Sequence, residues 1–353
     1  MLRGGVYQLL HLGRVPPHAV VHDSVQLVRD KRGKRVAGFV NAILRKVATD
    51  RPDAPEPPTH VSVAPWLRSQ LVESLGADRT KALLEVDSEL PSIDLRVKRD
   101  IDRETVAQAI RDALPHARVV PTELSPLGLR VAGGGDPREL PGYLEGAFAV
   151  QEEGAQLIGL LLDVVAGQRA LDVCAGRGGK TAQLVEAVGP GGQAVATDLH
   201  EHRLEQIPEE LARLRLSSSR LRTACVDWSV GPGAVSGEFD RVLVDAPCTG
   251  LGTLRRRPEI LLRASHEDAA RMGETQLRIF HNVASMVRRG GSLLFAVCSP
   301  LDEEGPELIR RVKLPGFELV REEPSHLKSL CFGSTGELPL GPWVPGAGAW
   351  ADA

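Results

Sequence analysis

The stretch Asp240-Arg-Val-Leu-Val-Asp-Ala-Pro-Cys-Thr-Gly-Leu-Gly-Thr-Leu-Arg-Arg-Arg-Pro258 decides the fold of this chain. Its apolar run from Val242 to Val244 is short enough to predict a buried β-strand. The proline and glycines that follow Asp245 predict that the strand ends there in a loop. In an open α/β sheet, reactive groups lie just beyond the carboxyl ends of the strands. Asp245 and Cys248 stand three residues apart at such an end, so they predict a functional site.

A second predicted strand, Ser292–Val297, also ends in a cysteine, Cys298. Two thiols at neighbouring strand ends would face the same crevice, and this coincidence favours a chemical role. The alternative is that each cysteine merely fills the core, which is the commoner role of a single free cysteine. The run Arg255–Arg257 predicts that something anionic binds nearby.

The amino-acid composition limits the classes of protein to which this chain can belong. The chain has 353 residues, of which 42% are apolar and 25% charged, values typical of a globular protein with two or three domains. It contains no run of ~18 apolar residues and no signal-peptide core, so no membrane segment is expected. Its five scattered cysteines include no Cys-x-x-Cys pair. We therefore expect a cytoplasmic protein with free thiols and no metal site.

The N-terminal part is predicted to be a separate helical domain, residues 1–50, followed by a proline-rich linker, residues 51–59. The domain has nine lysines and arginines against three acids. A local basic excess indicates a phosphate-binding face, although a solvated helical surface explains the same charges. The residues that we expect to bind RNA on this face are Lys31, Arg32, Lys34 and Arg35.

Two further regions follow the linker. Residues 60–150 predict a small α+β module, and from residue 151 to residue 353 strands and helices alternate. Such alternation is typical of a doubly wound, largely parallel α/β sheet. The helices expected in this last region are Gln151–Val165, a segment ending at Val188, Leu204–Leu214 and Glu267–Arg289, and the other strands are Ala170–Cys174, Gln193–Thr197 and Ser219–Val226.

The segment Ala175-Gly-Arg-Gly-Gly-Lys-Thr181 predicts a glycine-rich turn between a strand and a helix. It lacks one glycine of a Walker A loop, because Cys174 stands there, and the third glycine of a dinucleotide fingerprint. Asp198 follows Gly179 by nineteen residues, close to the ~20 residues at which an acid meets a ribose hydroxyl. The pattern favours a nucleoside cofactor without phosphates, such as S-adenosylmethionine. Alternatively, Asp198 caps the next helix.

Three motifs together resemble the RsmB/NOP2/Sun family of RNA cytosine-5 methyltransferases. They are Leu171-Asp-Val-Cys-Ala-Gly-Arg-Gly-Gly-Lys-Thr, Asp245-Ala-Pro-Cys-Thr-Gly-Leu-Gly and Val297-Cys-Ser-Pro. The likeness covers nearly the whole chain. Residues 1–50 are similar to a partial NusB-like RNA-binding domain of the bacterial Sun/RsmB branch, and residues 60–150 to that family's pre-catalytic module. The resemblance implies a Rossmann-like methyltransferase domain that acts on small-subunit ribosomal RNA.

The resemblance also implies roles for individual residues. Cys298 would attack carbon 6 of cytosine, Asp245 would bind the ring, and Cys248 would assist release of the product, with Lys180 lowering the pKa of a thiol. We expect a monomer that binds RNA. The residues implied for S-adenosylmethionine are Cys174, Ala175, Gly176, Arg177, Gly178, Gly179, Lys180, Asp198, Arg203, Asp227 and Asp245, and those implied for RNA near the site are Arg255, Arg256 and Arg257.

The sequence departs from the family pattern at Gly176-Arg177, where Ala-Pro is usual, and at Val297, where threonine is usual. Two other functions remain open at this point. One is a catalytically weak RNA-binding or assembly factor that retains the fold, against which the intact thiol pair argues. The other is an amino-directed methyltransferase, a class that tends to end its fourth strand in Asn/Asp-Pro-Pro-aromatic, unlike Asp245-Ala-Pro-Cys248.

Overall fold

A computed structural model describes residues 1–12, 15–50, 63–85, 92–254, 256–320 and 348–352. The chain divides into two compact units, Met1–Val61 and Ser62–Ala353. The predicted linker at 51–59 lies outside the described residues. No helix in the described ranges is both long and apolar enough to span a bilayer. Those ranges also contain no cluster of three or more His, Cys, Asp or Glu side chains arranged to hold a metal ion.

The first unit is helical, as its periodicity predicts. It contains α1 (Leu2–His11) and α2 (Pro17–Asp50). Gly33 interrupts α2 with φ of +81°, a left-handed value that glycine adopts without a steric penalty. The chain therefore changes direction at Gly33, and the two halves of α2 bury Val28 and Leu44 in one apolar cluster.

The second unit begins with the α+β module. Its four strands form an antiparallel sheet in the order β2-β3-β1-β4. Helix α4 was not predicted from the sequence. The elements are α3 (Pro65–Leu75), α4 (Ala77–Leu84), β1 (Ile93–Val97), α5 (Arg103–Ala113), β2 (Arg118–Pro121), β3 (Gly128–Ala132) and β4 (Phe148–Val150).

A seven-stranded sheet forms the rest of the second unit, in the order β10-β11-β9-β8-β5-β6-β7. The five strands from β9 to β7 are parallel, and β10 and β11 are antiparallel additions at one edge. The elements are α6 (Glu153–Leu161), β5 (Arg169–Asp172), α7 (Gly179–Val188), β6 (Gln193–Asp198), α8 (Glu201–Leu204), α9 (Ile207–Arg213), β7 (Leu221–Cys225), β8 (Phe239–Asp245), α10 (Asp268–Ala284), β9 (Val287–Ala296), α11 (Pro306–Arg311), β10 (Phe317–Val320) and β11 (Gly348–Asp352).

Helices pack on both faces of this sheet. Successive side chains of a strand point to opposite faces, so one strand contributes apolar residues to both layers. Val242 and Val244 of β8 pack in the cluster that contains Phe280 of α10. Leu243, between them, packs in the cluster that contains Leu184 of α7. The predicted doubly wound fold is confirmed. The strand order reverses at β5, between β6 and β8, which is where such sheets bind ligands.

The largest error of the sequence prediction concerns the helix before the last parallel strand. We expected it to run from Glu267 to Arg289, but α10 ends at Ala284 and β9 begins at Val287. Gly290 has φ of +71°, and a Cβ on Gly291 would lie 3.0 Å from the carbonyl oxygen of Asp240. The two glycines therefore accommodate an irregularity inside the strand, where pairing with β8 shifts register, rather than ending the helix.

Two other helices are shorter than predicted. The helix expected at Gln151–Val165 is α6, which covers only Glu153–Leu161. The helix expected at Leu204–Leu214 is divided into α8 and α9, and Pro208 lies in the first turn of α9. Proline is accommodated at a helix start, where its missing N–H leaves no bond unmade, but not in a helix interior.

A buried ion pair joins the α+β module to the part of the chain that forms the seven-stranded sheet. Arg96 of β1 is 1% exposed, and its Nη1 lies 2.6 Å from Oε2 of Glu186 on α7. Its Nε donates to Oε1 of Gln151 at 2.7 Å. Removing one partner of such a pair leaves a buried charge unpaired, which is strongly destabilising. The pair therefore holds β1 against the helix that begins in the glycine-rich turn.

Candidate active site

The two predicted thiols meet at neighbouring strand ends. Strands β8 and β9 are parallel, and Asp245 pairs with Ala296 at their carboxyl ends. Cys248 and Cys298 follow these residues, and their Sγ atoms lie 2.8 Å apart. The backbone fixes this approach, because the N–H of Gly252 donates to the carbonyl oxygen of Cys298 at 3.0 Å. The structure thus brings together two cysteines that are fifty residues apart in the sequence.

The two thiols differ in their tendency to lose a proton. The hydrogen bond that Cys248 donates, aided by the positive charge of Lys180, holds the pKa of Cys298 below that of an ordinary thiol. The same hydrogen bond and burial raise the pKa of Cys248. Of the two thiols, Cys298 is therefore the one that loses its proton more readily. A thiolate is the nucleophilic form of cysteine.

An ion pair lies beside the thiols. Nζ of Lys180, at the start of α7, lies 2.6 Å from Oδ2 of Asp245 at the end of β8. Burial lowers the pKa of Lys180, but the charge and hydrogen bond of Asp245 outweigh it and leave the pKa raised. Lys180 therefore stays protonated. It lies where the strand order reverses, beside strands β5 and β8. Its charge acts on Cys298.

We expect iodoacetamide to alkylate Cys298 at lower pH than Cys248. Only the thiolate reacts, so a lowered pKa preserves the rate as the pH falls. In Cys248→Ala the donor to Cys298 is missing, and the pH midpoint of Cys298 alkylation should move upward. Mass spectrometry of the two peptides between about pH 5 and pH 10 measures both midpoints. Exposed Cys225 serves as the reference thiol. An unchanged midpoint in Cys248→Ala would show that the hydrogen bond does not stabilise the thiolate.

The glycine-rich turn bends back over the end of β5. Gly176 and Gly178 have φ of +56° and +85°, so both adopt the left-handed backbone that favours glycine. A Cβ on Gly178 would lie 2.8 Å from the side chain of Ile207, whereas one on Gly176 or Gly179 would meet nothing within 4 Å. The turn therefore packs on one side and leaves open space beside Gly176 and Gly179.

Asp198, at the end of β6, is fixed against this turn. Its Oδ2 accepts from the N–H of Gly176 and its Oδ1 from the N–H of His200, each at 2.9 Å. Nη1 of Arg203 lies 3.5 Å from Oδ1. The N-cap of α8 is His200, with no side-chain capping bond, so the capping alternative for Asp198 is wrong, and its carboxylate instead holds the glycine turn to the loop before α8. Each carboxylate oxygen can accept a further bond.

Two side chains below the turn are more buried than the sequence indicated. Burial raises the pKa of Asp172 to about 7. Its Oδ2 accepts from the hydroxyl of Thr181 at 2.6 Å, but its buried Oδ1 has no hydrogen-bond partner among the described residues. Burial also raises the pKa of Cys174, which lies at the base of the turn. The raised pKa disfavours the thiolate form of Cys174.

The remaining residues predicted to bind cofactor lie around this turn or at the next strand end. Asp227 is exposed after β7, and its Oδ1 accepts from both the N–H and the hydroxyl of Ser229. Arg177 is exposed in the turn itself, next to half-buried Ala175. The strand ends thus form one edge carrying Asp198, Asp227 and Asp245.

A cavity of about 220 Å³ reaches Cys248 and is lined by three arginines and two acids. Nε of Arg257 lies 3.3 Å from Oε1 of Glu259, Arg271 pairs with Asp268, and Arg263 is the third arginine. Arg256 pairs with Glu152 and does not line the cavity. Arg255 lies outside the described residues. Among the described residues, the predicted basic run contributes Arg257 to the cavity, together with Arg263 and Arg271, which we did not predict.

The other predicted RNA-binding residues belong to the first unit. They lie in α2 around the break at Gly33, and all four side chains are exposed. No ion pair involves them within the described ranges. They are Lys31, Arg32, Lys34 and Arg35.

Sequence reasoning missed the buried polar residues behind the thiols. Glu304 is 0% exposed and accepts from the N–H of Thr249, the residue after Cys248, at 2.8 Å. Gln276, also 0% exposed, donates to the carbonyl oxygen of Pro247 at 2.8 Å. Glu304 stands in an acidic run that reads as a solvated surface, so nothing in the local sequence indicated burial.

The amino-acid sequence of the chain is similar to those of known protein families in both of its units. The sequence pattern of the family described as 16S rRNA methyltransferase RsmB/F matches residues 159–336, and that of the NusB family matches residues 1–49. Ribosomal RNA small subunit methyltransferase B of Vibrio cholerae is 32% identical over 334 residues, 91% of this chain and 74% of that protein. The probable ribosomal RNA small subunit methyltransferase B of Bacillus subtilis is 29% identical, over 90% of this chain and 73% of that protein.

Solved structures share the fold at lower sequence identity. NSun6 from Pyrococcus horikoshii has a TM-score of 0.65 and 16% identity, over 81% of this chain and 96% of that one. A methyltransferase homolog from Pyrococcus horikoshii has a TM-score of 0.62 and 22% identity, over 82% and 94%. The family match over the methyltransferase-like sheet and the identity to the Vibrio cholerae enzyme together decide the assignment: the chain belongs to the RsmB/F family of 16S ribosomal RNA methyltransferases.

Proposed function

We propose that this protein methylates carbon 5 of a cytosine in 16S ribosomal RNA through a covalent bond between the RNA and Cys298. The observation that carries the proposal is the pair of thiols 2.8 Å apart, beside the ion pair of Lys180 and Asp245. A methyltransferase that modifies a nitrogen or a ribose oxygen does not need a nucleophilic thiol. The arrangement therefore favours a carbon as the methyl acceptor.

Carbon 5 of cytosine is a poor nucleophile, and a covalent step overcomes this. The thiolate of Cys298 adds to carbon 6, which turns the ring into an enamine whose carbon 5 can attack an electrophilic methyl group. Such a step replaces one difficult reaction by two easier ones. Asp245 would accept a hydrogen bond from the exocyclic amine and so orient the ring, and the cation of Lys180 beside it would stabilise the negative charge that develops there. Lys180 pairs with Asp245, and its positive charge favours the thiolate form of Cys298.

Release of the product requires loss of the proton on carbon 5. Once the sulfur of Cys298 is bonded to carbon, it no longer stabilises the proton on Cys248, which leaves to solvent. Cys248 then accepts the carbon-5 proton, the bond between carbon 6 and Cys298 breaks, and its electron pair returns to the sulfur. The 2.8 Å separation of the two sulfur atoms supports a reaction in which the cysteines act on adjacent ring carbons.

S-Adenosylmethionine, the methyl donor of this class of enzyme, supplies an electrophilic methyl group on a sulfonium sulfur. The described residues fit it: there is open space beside Gly176 and Gly179, and the buried Oδ1 of Asp172 lacks a partner within the described ranges. We propose that the turn 174–180 holds the methionine part, Asp198 the ribose hydroxyls and Asp227 the adenine end. Arg203 would orient Asp198.

Asp198→Ala should weaken S-adenosylmethionine binding by about 1–3 kcal/mol, since it leaves hydrogen-bonding groups of the ligand and the turn without a partner. Isothermal titration calorimetry measures the affinity directly. Asp112→Ala, which removes an exposed carboxylate on α5, is the matched control and should bind normally. Normal affinity in a folded Asp198→Ala protein would remove this residue from the cofactor site.

The RNA must present its cytosine outside a helix to reach the thiols. We propose that Arg257, Arg263 and Arg271 bind the phosphates next to the target base, because they line the cavity at Cys248. Arg255 and Arg256 would extend this contact. Residues 1–50 would act as the partial NusB-like RNA-binding domain, with the four exposed basic side chains of α2 as its phosphate-binding face.

We propose that the protein acts as a monomer in the cytoplasm. One chain supplies both thiols and the ion pair beside them, so the reaction requires no second copy. The region that we assign to catalysis is residues 151–353, and residues 60–150 form the module that Arg96 attaches to it.

The competing function is that of an assembly factor with little catalytic activity. The experiment that decides is incubation of unmethylated 16S ribosomal RNA with methyl-labelled S-adenosylmethionine, followed by digestion to nucleosides. We expect the label in 5-methylcytidine. Label in an N-methylated nucleoside would identify an amino-directed enzyme, and RNA binding without any label would favour the assembly factor.

A further inference from the structure

A buried polar cluster connects the two loops that carry the thiols. At its centre is Glu304, in the short turn Asp302–Glu304 after β9, and its side chain is completely buried. It accepts three bonds: from the N–H of Thr249 at 2.8 Å, from the hydroxyl of Thr249 at 2.5 Å and from Nε2 of Gln276 at 3.4 Å. The hydroxyl of Thr249 lies 3.1 Å from that of Ser299. Thr249 follows Cys248 and Ser299 follows Cys298, so the cluster couples the neighbours of both thiols.

The cluster is costly to bury, which indicates that it serves a purpose beyond filling the core. A buried carboxylate loses its hydration and is tolerated only where several donors replace the water. Burial raises the pKa of Glu304, while the hydrogen bonds that its carboxylate accepts oppose the rise. An apolar side chain at 304 would fill the same space but would hold neither loop.

We propose that Glu304 is a positioning residue that holds Cys248 against Cys298 and so permits breakdown of the covalent RNA intermediate. This inference rests on the proposed function. Glu304 touches neither thiol through a hydrogen bond. It acts through Thr249, whose backbone and side chain it fixes, while Gln276 fixes Pro247 on the other side of Cys248.

The two chemical steps should depend on Glu304 to different degrees. The carbonyl oxygen of Cys298 is held by the N–H of Gly252, a bond that does not involve Glu304. Attack by Cys298 should therefore persist without Glu304. The release step requires Cys248 to reach the carbon-5 proton, and a loop displaced by about 1 Å can slow such a step by roughly 10²-fold.

The test compares Glu304→Ala and Glu304→Gln with wild type on a 16S ribosomal RNA transcript and labelled S-adenosylmethionine. In Glu304→Ala, single-turnover methyl transfer should fall by less than ~5-fold, while steady-state turnover falls by ~20-fold or more. Covalent RNA–protein adduct should accumulate on denaturing gels. Glu304→Gln keeps one acceptor oxygen and should accumulate less adduct than the alanine variant.

Glu303→Gln is the matched control, since Glu303 is the adjacent acid and its side chain accepts from Gln70 instead of Thr249. It should show wild-type turnover and no adduct.

If the alanine variant does not fold, Thr249→Val, which removes only the hydroxyl bonds, should still accumulate adduct. Equal loss of both steps without adduct in folded Glu304 and Thr249 variants would overturn the proposal. If the wild-type protein forms no 5-methylcytidine on the same transcript, the proposed function itself fails.

Discussion

Cys298→Ala should form neither methylated RNA nor a covalent RNA–protein complex. The substitution removes the atom that bonds to carbon 6, and without that bond carbon 5 stays too weak a nucleophile to accept a methyl group. We expect a loss of ~10³-fold or more, because only positioning and electrostatic stabilisation remain. Cofactor binding, measured by calorimetry, should be unchanged, because the turn at 174–180 and Asp198 are intact.

Cys225→Ala is the control for this result. Cys225 is an exposed cysteine at the end of β7, and its thiol donates to the carbonyl oxygen of Leu199 rather than to a residue of the proposed site. It should retain full activity. Activity within tenfold of wild type in Cys298→Ala would mean that this thiol is not the nucleophile.

Cys248→Ala should instead trap the RNA on the protein. Attack and methyl transfer remain possible, but the carbon-5 proton has no base, so the bond to Cys298 does not break. A slower band should accumulate on denaturing gels, stable to heat and lost after nuclease treatment. Turnover should fall by roughly 10²–10⁴-fold, the usual contribution of a general base.

The double substitution Cys248→Ala with Cys298→Ala is the control for the trapped complex, and it should show no adduct. The opposite pattern, in which Cys298→Ala traps RNA and Cys248→Ala does not, would reverse the assignment of the two thiols. Full methylation in both single variants would show that these cysteines only fill space, which is the alternative that the sequence left open.

The parts of the site that the sequence predicts well are those fixed by short segments. One predicted strand ends at Asp245, and the next along the chain is followed by Cys298. We expect these two side chains at the same edge of the sheet, because parallel strands place their carboxyl ends together. The family resemblance then assigns roles to them. The contact between Lys180 and Asp245 depends on the strand order β5-β8, which no local pattern encodes.

Other features were not predictable for the same reason. Gly290 and Gly291 read as a helix end, and only their position beside the backbone of β8 shows that they lie within a strand. Glu304 reads as one of several surface acids. Its burial follows from the packing of the turn after β9 against α10, a long-range contact. No local sequence pattern indicated the contact between the sulfur atoms of Cys248 and Cys298.

The most direct test of the covalent mechanism uses wild-type protein and RNA in which the target cytidine carries fluorine at carbon 5. After methyl transfer this ring has no carbon-5 proton to lose, so the adduct persists without any substitution in the protein. Tryptic digestion separates the peptide of Cys248 from that of Cys298, because arginines lie between them. We predict that mass spectrometry finds the methylated fluorocytidine on Cys298. Attachment to Cys248, or methylated RNA with no adduct on either peptide, would contradict the mechanism.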